Sequence, residues 1–438
     1  MSKAEPVPVT GAAEREAAVK SAFSRNAAAF VAFDAVWSLG APCCLIATVV
    51  PSYLLFLGAS KTLMQIVMIG MSGMSILQIW SAGFYSGAHR KPRQFVSWAA
   101  HALCWIAYGL LAWIGWGRWP AWLWLPLFIA MVVALEVIDN VAAPAYSEMV
   151  LENTPLGWRG RLAALRNFGF GLLGVAGIAL ATWLMGRWSE PTAFHVSFVV
   201  GAALMLLSCL SVLFMRDCGR TAGAAHPGQS ALGAARALFD HFNFRVFLVF
   251  YALLMVAQSL TPLLIGYGRD VLSFGAADTY RFTIAYYAGT FVLGISVPVL
   301  ADRFGFRLIA VVAAVLLVVA FVIPVCLPHS PLALLAAYAL LVGSGSLGSG
   351  LVLPNLGAEM VPQVKPAMII AVGSVMVMPF SLVAAPLGGK LVDAHGPAGY
   401  LAVFVTGLAL GLCALRGFVA VIREPRTGQE IYVRMRTE

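Results

Sequence analysis

Charged side chains are scarce in this sequence. Asp, Glu, Lys and Arg make up 11% of its 438 residues, whereas apolar residues make up 61%. A typical soluble domain has about a quarter of its residues charged. Water cannot solvate so much apolar surface, so the composition excludes a soluble protein and predicts an integral membrane protein.

Several chemical signatures are also missing. The seven cysteines include no C-x-x-C pair, and the sequence contains no P-loop. These absences argue against a metal or redox site and exclude an ATP-driven pump on this chain. The formal charge is +9, but no concentrated basic run indicates a nucleic-acid surface. With no nucleophile or metal cluster at membrane depth, we expect no enzyme activity, no cofactor and no nucleic-acid partner.

A dinucleotide-like pattern, Gly169-x-Gly171-x-x-Gly174, does occur. It lies inside an apolar segment with no preceding strand, so the phosphate-binding interpretation fails. Small residues at this spacing favour close packing between membrane helices, and Gly177 extends the run.

Apolar segments recur along the whole chain. A membrane-spanning helix needs about 20 mostly apolar residues. The sequence predicts an all-α membrane protein of twelve such helices, in two pseudo-symmetric halves of six. The predicted helices are 28–56, 62–85, 95–117, 121–147, 164–186, 195–215, 245–266, 281–301, 307–327, 332–357, 367–390 and 400–422.

Basic residues set the orientation, because cytoplasmic loops carry an excess of Lys and Arg. With both termini cytoplasmic, 21 of the 28 basic residues lie inside and 6 outside. We expect a multi-pass protein of a bacterial inner (plasma) membrane, and a monomer. The predicted organisation is a tail (1–27), a six-helix bundle (28–215), a central loop (216–244), a second six-helix bundle (245–422) and a tail (423–438). Residues 231–244 within the loop favour a short amphipathic helix.

Three weak repeats indicate that a six-helix unit is duplicated. Residues 58–62 (GASKT) match 275–279 (GAADT) at an offset of 217. The basic loop after the second helix matches the loop after the eighth, at an offset of 213. Glu148 at the end of the fourth helix matches Glu359 at the end of the tenth, at an offset of 211. The constant order and nearly constant offset predict two halves related by an axis along the membrane normal.

The loop after the eighth predicted helix carries the most specific motif. Its sequence Ala-Asp-Arg-Phe-Gly-Phe-Arg, residues 301–307, resembles the cytoplasmic motif of the major facilitator superfamily. The first-half copy departs from the pattern, with His89 in place of Asp and Pro92 in place of Gly. Residues 155–161 also resemble the family. The resemblance implies a tight turn after the eighth helix, and alternating access around a central site lined mainly by helices 1, 4, 7 and 10. We assign the cytoplasmic gate and motif to Arg90, Lys91, Glu148, Arg159, Arg161, Asp302, Arg303, Gly305, Arg307 and Glu359.

Acidic residues within predicted spans are the main functional candidates, because charge is costly in hydrocarbon. Asp34 lies in the first helix, and Glu136 and Asp139 lie near the middle of the fourth. Positions 136, 139 and 140 share one helix face. A carboxylate at this depth favours its neutral form and can bind and release a proton, so we predict that Glu136 or Asp139 couples transport to protons, with Asp34 accessory. The alternative is that Arg166, Arg416 or loop cations pair with these acids and hold the bundle together.

Polar and aromatic residues on the cavity helices are candidates for binding the solute. The alternative for each is a hydrogen bond between helices. The candidates are Trp37, Ser38, Asn140, Tyr251, Gln258, Tyr286 and Asn355.

The sequence therefore predicts a secondary transporter that couples the movement of a small solute to protons. No Lys or Arg lies at mid-span, which suits a neutral solute such as a sugar, or a cationic or amphipathic one. Two alternatives remain: an uncoupled facilitator, and a membrane assembly or sensor protein that does not transport.

Overall fold

The structure is a computed structural model that describes residues 12–74, 77, 90–155, 158–218, 231–275, 278–361, 364, 366–423 and 425. Within these ranges the chain forms helices and connections, with no β-strand. The α-helices are α1 (Ala12–Gly40), α2 (Val49–Phe56), α3 (Lys61–Gly73), α4 (Arg90–Gly115), α5 (Trp124–Glu152), α6 (Arg159–Arg187), α7 (Thr192–Phe214), α8 (Ala231–Asp240), α9 (Phe242–Gln258), α10 (Pro262–Asp270), α11 (Thr279–Phe304), α12 (Phe306–Cys326), α13 (Pro331–Leu347), α14 (Gly357–Met360), α15 (Pro366–His395) and α16 (Pro397–Ala420).

Ten helical segments in the described part of the chain are long and apolar enough to cross a bilayer. They are Glu16–Phe56, Lys91–Gly115, Ala121–Ala142, Leu165–Arg187, Thr192–Phe214, Phe242–Asp270, Phe306–Cys326, Pro331–Met360, Val372–His395 and Pro397–Ala420. Helix α3 begins at the predicted second span, most of whose remainder lies outside the described residues. Helix α11 covers the predicted eighth span. The predicted all-α membrane fold is confirmed.

The chain divides into two compact units. The first unit is Met1–Val49 with Ile76–Gly228, and the second is Val50–Ser75 with Gln229–Glu438. In the first unit, α7 packs against α4 and α1, and α6 packs against α1. In the second, α16 packs against α12 and α9, and α3 packs against α15. The six-plus-six domain boundaries at 28–215 and 245–422 remain a prediction from the sequence repeat.

Helices α1 and α6 approach closely in the first unit. A Cβ atom on Gly177 would overlap the carbonyl oxygen of Leu39, so the backbones pack more closely there than a larger residue allows. The opposite side of α6 exposes large apolar side chains at helical spacing. These are Leu165, Phe168, Leu172 and Val175, with exposed fractions of 51–65%. A stripe of this kind suits contact with lipid.

Two spans are interrupted near proline. After α1 the chain forms a 3-10 turn, Ala41–Cys44, with Pro42 in its first turn, before α2 begins. After α9 the helix breaks and Pro262 begins α10. Proline fits the first turn of a helix but not its interior, so each break begins a new helical segment. In the tenth span, α13 continues into a π-helix, Gly348–Leu356, that contains Pro354.

The two units repeat the same hydrogen bonds at equivalent places. In the first, the Asn26 amide donates to the Arg216 carbonyl (2.9 Å) and accepts from the Arg216 backbone N–H (2.8 Å). In the second, Asn243 makes the same two bonds to Arg423, at 3.2 and 3.4 Å. Each pair joins a helix, α1 in the first unit and α9 in the second, to the segment that follows the last helix of its unit. The predicted pseudo-symmetry of the halves therefore extends to individual contacts.

A basic residue repeats in the same way. Lys91 Nζ donates to the carbonyls of Leu213 and Met215 at the end of α7, at 2.5 and 2.7 Å. Arg307 donates to the carbonyls of Phe418 and Val419 at the end of α16, at 2.9 and 2.5 Å. Cations stabilise the carboxyl end of a helix, where carbonyls lack intrahelical partners.

Charged residues tie α3 to other helices of the second unit. The Asp393 carboxylate accepts hydrogen bonds from the backbone N–H groups of Lys61 (2.8 Å) and Thr62 (2.9 Å) and from the Thr62 hydroxyl (2.6 Å). The Lys61 ammonium lies 3.0 Å from Asp270 Oδ2, which also accepts a 2.8 Å bond from Tyr400. Thus α15 caps the amino end of α3, and α10 pairs with its first residue through Asp270, which Tyr400 of α16 also contacts.

Candidate functional site

The three acids predicted within spans all lie in the first unit. Asp34 is on α1, and Glu136 and Asp139 are one turn apart on α5. Both helices belong to segments apolar enough to cross a bilayer. Each acid has a different neighbour, and that neighbour determines what the carboxylate can do.

Asp34 contacts a cation. The Arg166 guanidinium on α6 forms an ion pair with the Asp34 carboxylate, and both side chains are largely buried. The Tyr146 hydroxyl on α5 donates to the same carboxylate at 3.5 Å. Arg166 also lies over the Tyr146 ring, 5.6 Å from its centre. Arg166 is one of the cations that the sequence offers as a purely structural partner for these acids, and the structure pairs it with Asp34.

Asp139 contacts a histidine. The Nδ1 atom of His101 on α4 lies 2.7 Å from Asp139 Oδ1. The His101 side chain is 3% exposed, and neither of these two atoms makes a hydrogen bond in the described part of the chain, so the contact is one of distance and charge. The sequence does not predict His101 as a site residue, because no acid lies near it on its own helix and a lone histidine in a span is more often structural.

Glu136 is held by its own helix. The Asn140 amide donates to Glu136 Oε2 at 3.2 Å and to the Glu136 carbonyl at 3.0 Å. The i, i+4 spacing predicted from the sequence therefore brings these two side chains together. Among the residues that the structure describes, Glu136 has no ion-pair partner.

Aromatic rings connect the two acid pairs. Phe33 lies 4.9 Å from Tyr146 and 5.6 Å from Trp37, measured between ring centres. Trp37 in turn lies 5.2 Å from Trp98 and 5.4 Å from His101. Tyr146 contacts Asp34 and His101 contacts Asp139, so the rings form a continuous row of contacts from one acid to the other. We call this row the aromatic wall; its members are Phe33, Trp37, Trp98, His101 and Tyr146.

The family follows from a match along most of the chain. Residues 98–365, more than half of the sequence, match the family model described as MFS/sugar transport protein.

This chain belongs to the major facilitator superfamily.

Solved structures of this superfamily share the fold at low sequence identity. A mutant of the nucleoside transporter NupG has 14% identity and a TM-score of 0.66, covering 91% of this chain and 100% of that one. A bacterial homologue of the human drug peptide transporters PepT1 and PepT2 has 12% identity and a TM-score of 0.64, covering 94% and 99%. The xylose transporter XylE from E. coli, partially occluded and inward open, has 13% identity and a TM-score of 0.61, covering 92% and 98%. No curated protein matches this sequence.

The remaining predicted cavity residues of this transporter hydrogen-bond mostly to backbone. Ser38 is fully buried, and its hydroxyl lies 2.7 Å from the Phe170 carbonyl of α6. Gln258 donates to the Leu341 carbonyl at 2.9 Å, and Asn355 donates to the Leu351 carbonyl at 2.9 Å, within the π-helix. Such bonds also occur in helix packing, so solute binding by these side chains stays a prediction.

Two tyrosines of the second unit were also predicted to line the cavity. Tyr251 on α9 is 2% exposed and stacks on Phe247, with ring centres 5.5 Å apart. Tyr286 on α11 packs edge-on against Tyr287, at 5.7 Å. Their role in binding also stays a prediction.

The motif residues are only partly described. Gly305 forms the turn between α11 and α12 by itself, with φ of 83°, a left-handed conformation that glycine adopts without strain. The tight turn implied by the family resemblance is therefore present. Glu359 lies in α14. The side chains of Arg90, Glu148, Arg159, Arg161, Asp302 and Arg303 lie outside the described residues.

Proposed function

We propose that this member of the superfamily is a proton-coupled secondary transporter, and that the acids of α5 carry the proton. The observation that supports this most directly is Glu136, which lies in a bilayer-spanning segment with an amide, and no cation, as its side-chain partner among the described residues. An unpaired carboxylate in a low-dielectric region is costly when charged and far less so when protonated. Such a group gains a proton when the site is closed off from water and loses it on contact with water.

The neighbours of the three acids suggest a division of labour. The charge of Asp34 is compensated by Arg166, so its carboxylate can stay ionised in the low-dielectric region without binding a proton. We assign it an accessory role, in which its pair with Arg166 fixes the aromatic wall through Tyr146. Glu136 and Asp139 remain the coupling candidates.

The solute is proposed to be neutral, or cationic and amphipathic. Arg166 is engaged by Asp34, and an anion has no other Lys or Arg to meet among the described residues around these acids. Aromatic rings such as Trp37 suit the apolar face of a sugar, a planar base or an organic cation. The structural neighbours include transporters of nucleosides and of xylose and a homologue of peptide transporters, which widens the panel of solutes worth testing.

A ligand screen followed by a proton-flux assay tests the proposal. The purified protein is heated with D-xylose, uridine, a dipeptide or tetraphenylphosphonium, because a ligand that binds only the folded state raises the unfolding temperature. A compound that stabilises the protein is then added to proteoliposomes that contain a pH-sensitive dye. Solute-dependent proton movement is the expected result.

The two alternative functions give different results in the same vesicles. An uncoupled facilitator equilibrates the solute without moving protons and is unaffected by an uncoupler. An assembly or sensor protein binds the solute without transporting it.

We also propose, from the excess of Lys and Arg, that both termini are cytoplasmic and that the protein lies in the plasma membrane. Proteases applied from the cytoplasmic side should then cleave both tails.

A further inference from the structure

His101 is a buried histidine within a bilayer-spanning segment and contacts an acid on a neighbouring helix. It is 3% exposed on α4, and its Nδ1 lies 2.7 Å from Asp139 Oδ1. Its ring also packs against two indoles, with centres 5.4 Å from Trp37 and 6.4 Å from Trp98. Neither of the two facing atoms has a hydrogen-bond partner in the described chain, and each is the other's close polar contact, so the partly buried carboxylate and the buried imidazole act as one unit.

The helices around His101 bring few other charges to it. Helix α5 contributes Asp139 and, one turn earlier, Glu136. Helix α7 contains no Asp, Glu, Lys or Arg. Its titratable groups are Cys209, a buried thiol 3.3 Å from the Met205 carbonyl, and His195, whose ring packs on Trp116.

The acid on the neighbouring α1 is already paired. Asp34 forms its ion pair with Arg166 of α6, so its charge is compensated locally. The carboxylate in contact with His101 is therefore that of Asp139, and Glu136 also interacts with His101 electrostatically.

We propose that His101 and Asp139 together form a proton-binding site of the first unit, in which the imidazole takes the proton and the carboxylate stabilises the imidazolium. This deepens the proposed function and, as a route for the transported proton, rests on it. In this proposal the proton of the His101–Asp139 pair resides on the His101 ring. Glu136 is a separate acid next to the pair.

The proton step involves no other bond. Without the proton, the pair is a neutral imidazole beside a carboxylate and has a net charge of −1. A proton from water adds to a ring nitrogen, and the pair becomes an imidazolium beside a carboxylate with a net charge of 0. A neutral pair is cheaper to keep in a low-dielectric region than a lone carboxylate, so proton binding favours enclosure of the site.

Tryptophan fluorescence reports on this site without any transport. An imidazolium in contact with an indole quenches its emission, and His101 contacts two of the twelve tryptophans. The full-length purified protein is titrated with acid in lipid nanodiscs, and the emission of wild type, His101→Asn and Asp139→Asn is compared. His195→Gln is the matched control, because His195 is also a buried imidazole that packs on a tryptophan of this unit.

The expected result is a quenching step in wild type and in His195→Gln that disappears in His101→Asn. In Asp139→Asn the step should move away from its wild-type position, because the imidazolium loses its opposite charge. A step that persists in His101→Asn, or that stays in place in Asp139→Asn, overturns the proposal. Gel filtration and the unfolding temperature establish that each variant is folded.

Transport then separates proton binding from simple positioning. In His101→Asn the new side-chain amide can occupy the place of Nδ1 but does not titrate, so the pH profile of solute uptake should change. A wild-type pH profile in this variant means that His101 only positions Asp139, and overturns the proposal. If the fluorescence result is as expected but no solute moves protons, the site binds a proton and the proposed function is what fails.

Discussion

The three membrane-embedded carboxylates of the first unit differ in what compensates their charge. Asp34 has the guanidinium of Arg166, Asp139 has the imidazole of His101, and Glu136 has the amide of Asn140. Breaking an existing buried pair leaves an uncompensated charge and costs far more than replacing both partners with neutral groups. This difference gives a direct test of the pair at Asp34.

The Asp34–Arg166 pair should follow this asymmetry. Arg166→Met leaves the Asp34 carboxylate without its cation and should lower the free energy of unfolding by about 3–5 kcal/mol. Adding Asp34→Asn should restore most of that loss, because the double variant has no charge to compensate. The measurement is the unfolding temperature of the purified protein in detergent. Equal losses in Arg166→Met and in the double variant would contradict this expectation.

Residue spacing predicted part of the site. The i, i+3, i+4 pattern at 136, 139 and 140 placed Glu136 and Asn140 in contact, as the structure has them. It did not predict which helix supplies the partner of Asp139. That partner depends on the rotation of α4 about its axis, which is set by packing against α5 and α7 rather than by local sequence.

At the scale of elements, α3 depends on a residue far along the chain. Asp393, in the last turn of α15, accepts hydrogen bonds from the first two N–H groups of α3. A carboxylate at this place satisfies N–H groups that have no intrahelical partner and interacts favourably with the helix dipole. Capping therefore links two helices of the second unit.

Loss of this cap should destabilise the protein modestly. Asp393→Ala should lower the free energy of unfolding by about 1 kcal/mol, the usual value for a helix cap. Lys390→Ala, an exposed position one turn earlier on the same helix, is the control and should have little effect. Chemical unfolding curves of both variants provide the comparison. Equal effects of the two substitutions would contradict a capping role.

Helix ends were less predictable than helix positions. Helix α1 begins at Ala12, well before the predicted start at residue 28. Residues 12–27 are rich in alanine and contain charged residues, so they favour a helix but escape a search for apolar runs. The amphipathic helix predicted within 231–244 is present as α8. The length of the apolar segment does not predict the π-helix at Gly348–Leu356. Its glycines and proline do indicate a place where the regular α-helix is easily distorted.

At the scale of the whole molecule, duplication is visible in hydrogen bonds as well as in sequence. Asn26 and Asn243 are 217 residues apart, the offset that also relates residues 58 and 275. This pair was detectable in the sequence. The sequence alone does not single it out, because one polar match has little weight until its hydrogen-bond partner, the segment after the last helix of each half, is known.

The equivalent asparagines should differ in energetic weight. Asn26 is 1% exposed with bonds of 2.8–2.9 Å, whereas the bonds of Asn243 are exposed and 3.2–3.4 Å long. Asn26→Ala leaves partly buried backbone groups of Arg216 unsatisfied and should cost about 1–3 kcal/mol, and Asn243→Ala should cost less. Unfolding temperatures of the two variants test this order. A larger loss in Asn243→Ala would contradict it.

The central claim is that the α5 acids couple solute movement to protons. The most direct measurement is accumulation of the solute identified by the ligand screen in proteoliposomes with an imposed pH gradient, for wild type and for Glu136→Gln combined with Asp139→Asn. Glu190→Gln with Asp240→Asn, which removes two acids outside the candidate site, is the matched control. The account predicts accumulation in wild type and control, and none above equilibrium in the α5 variant. Unchanged accumulation in the α5 variant would contradict it.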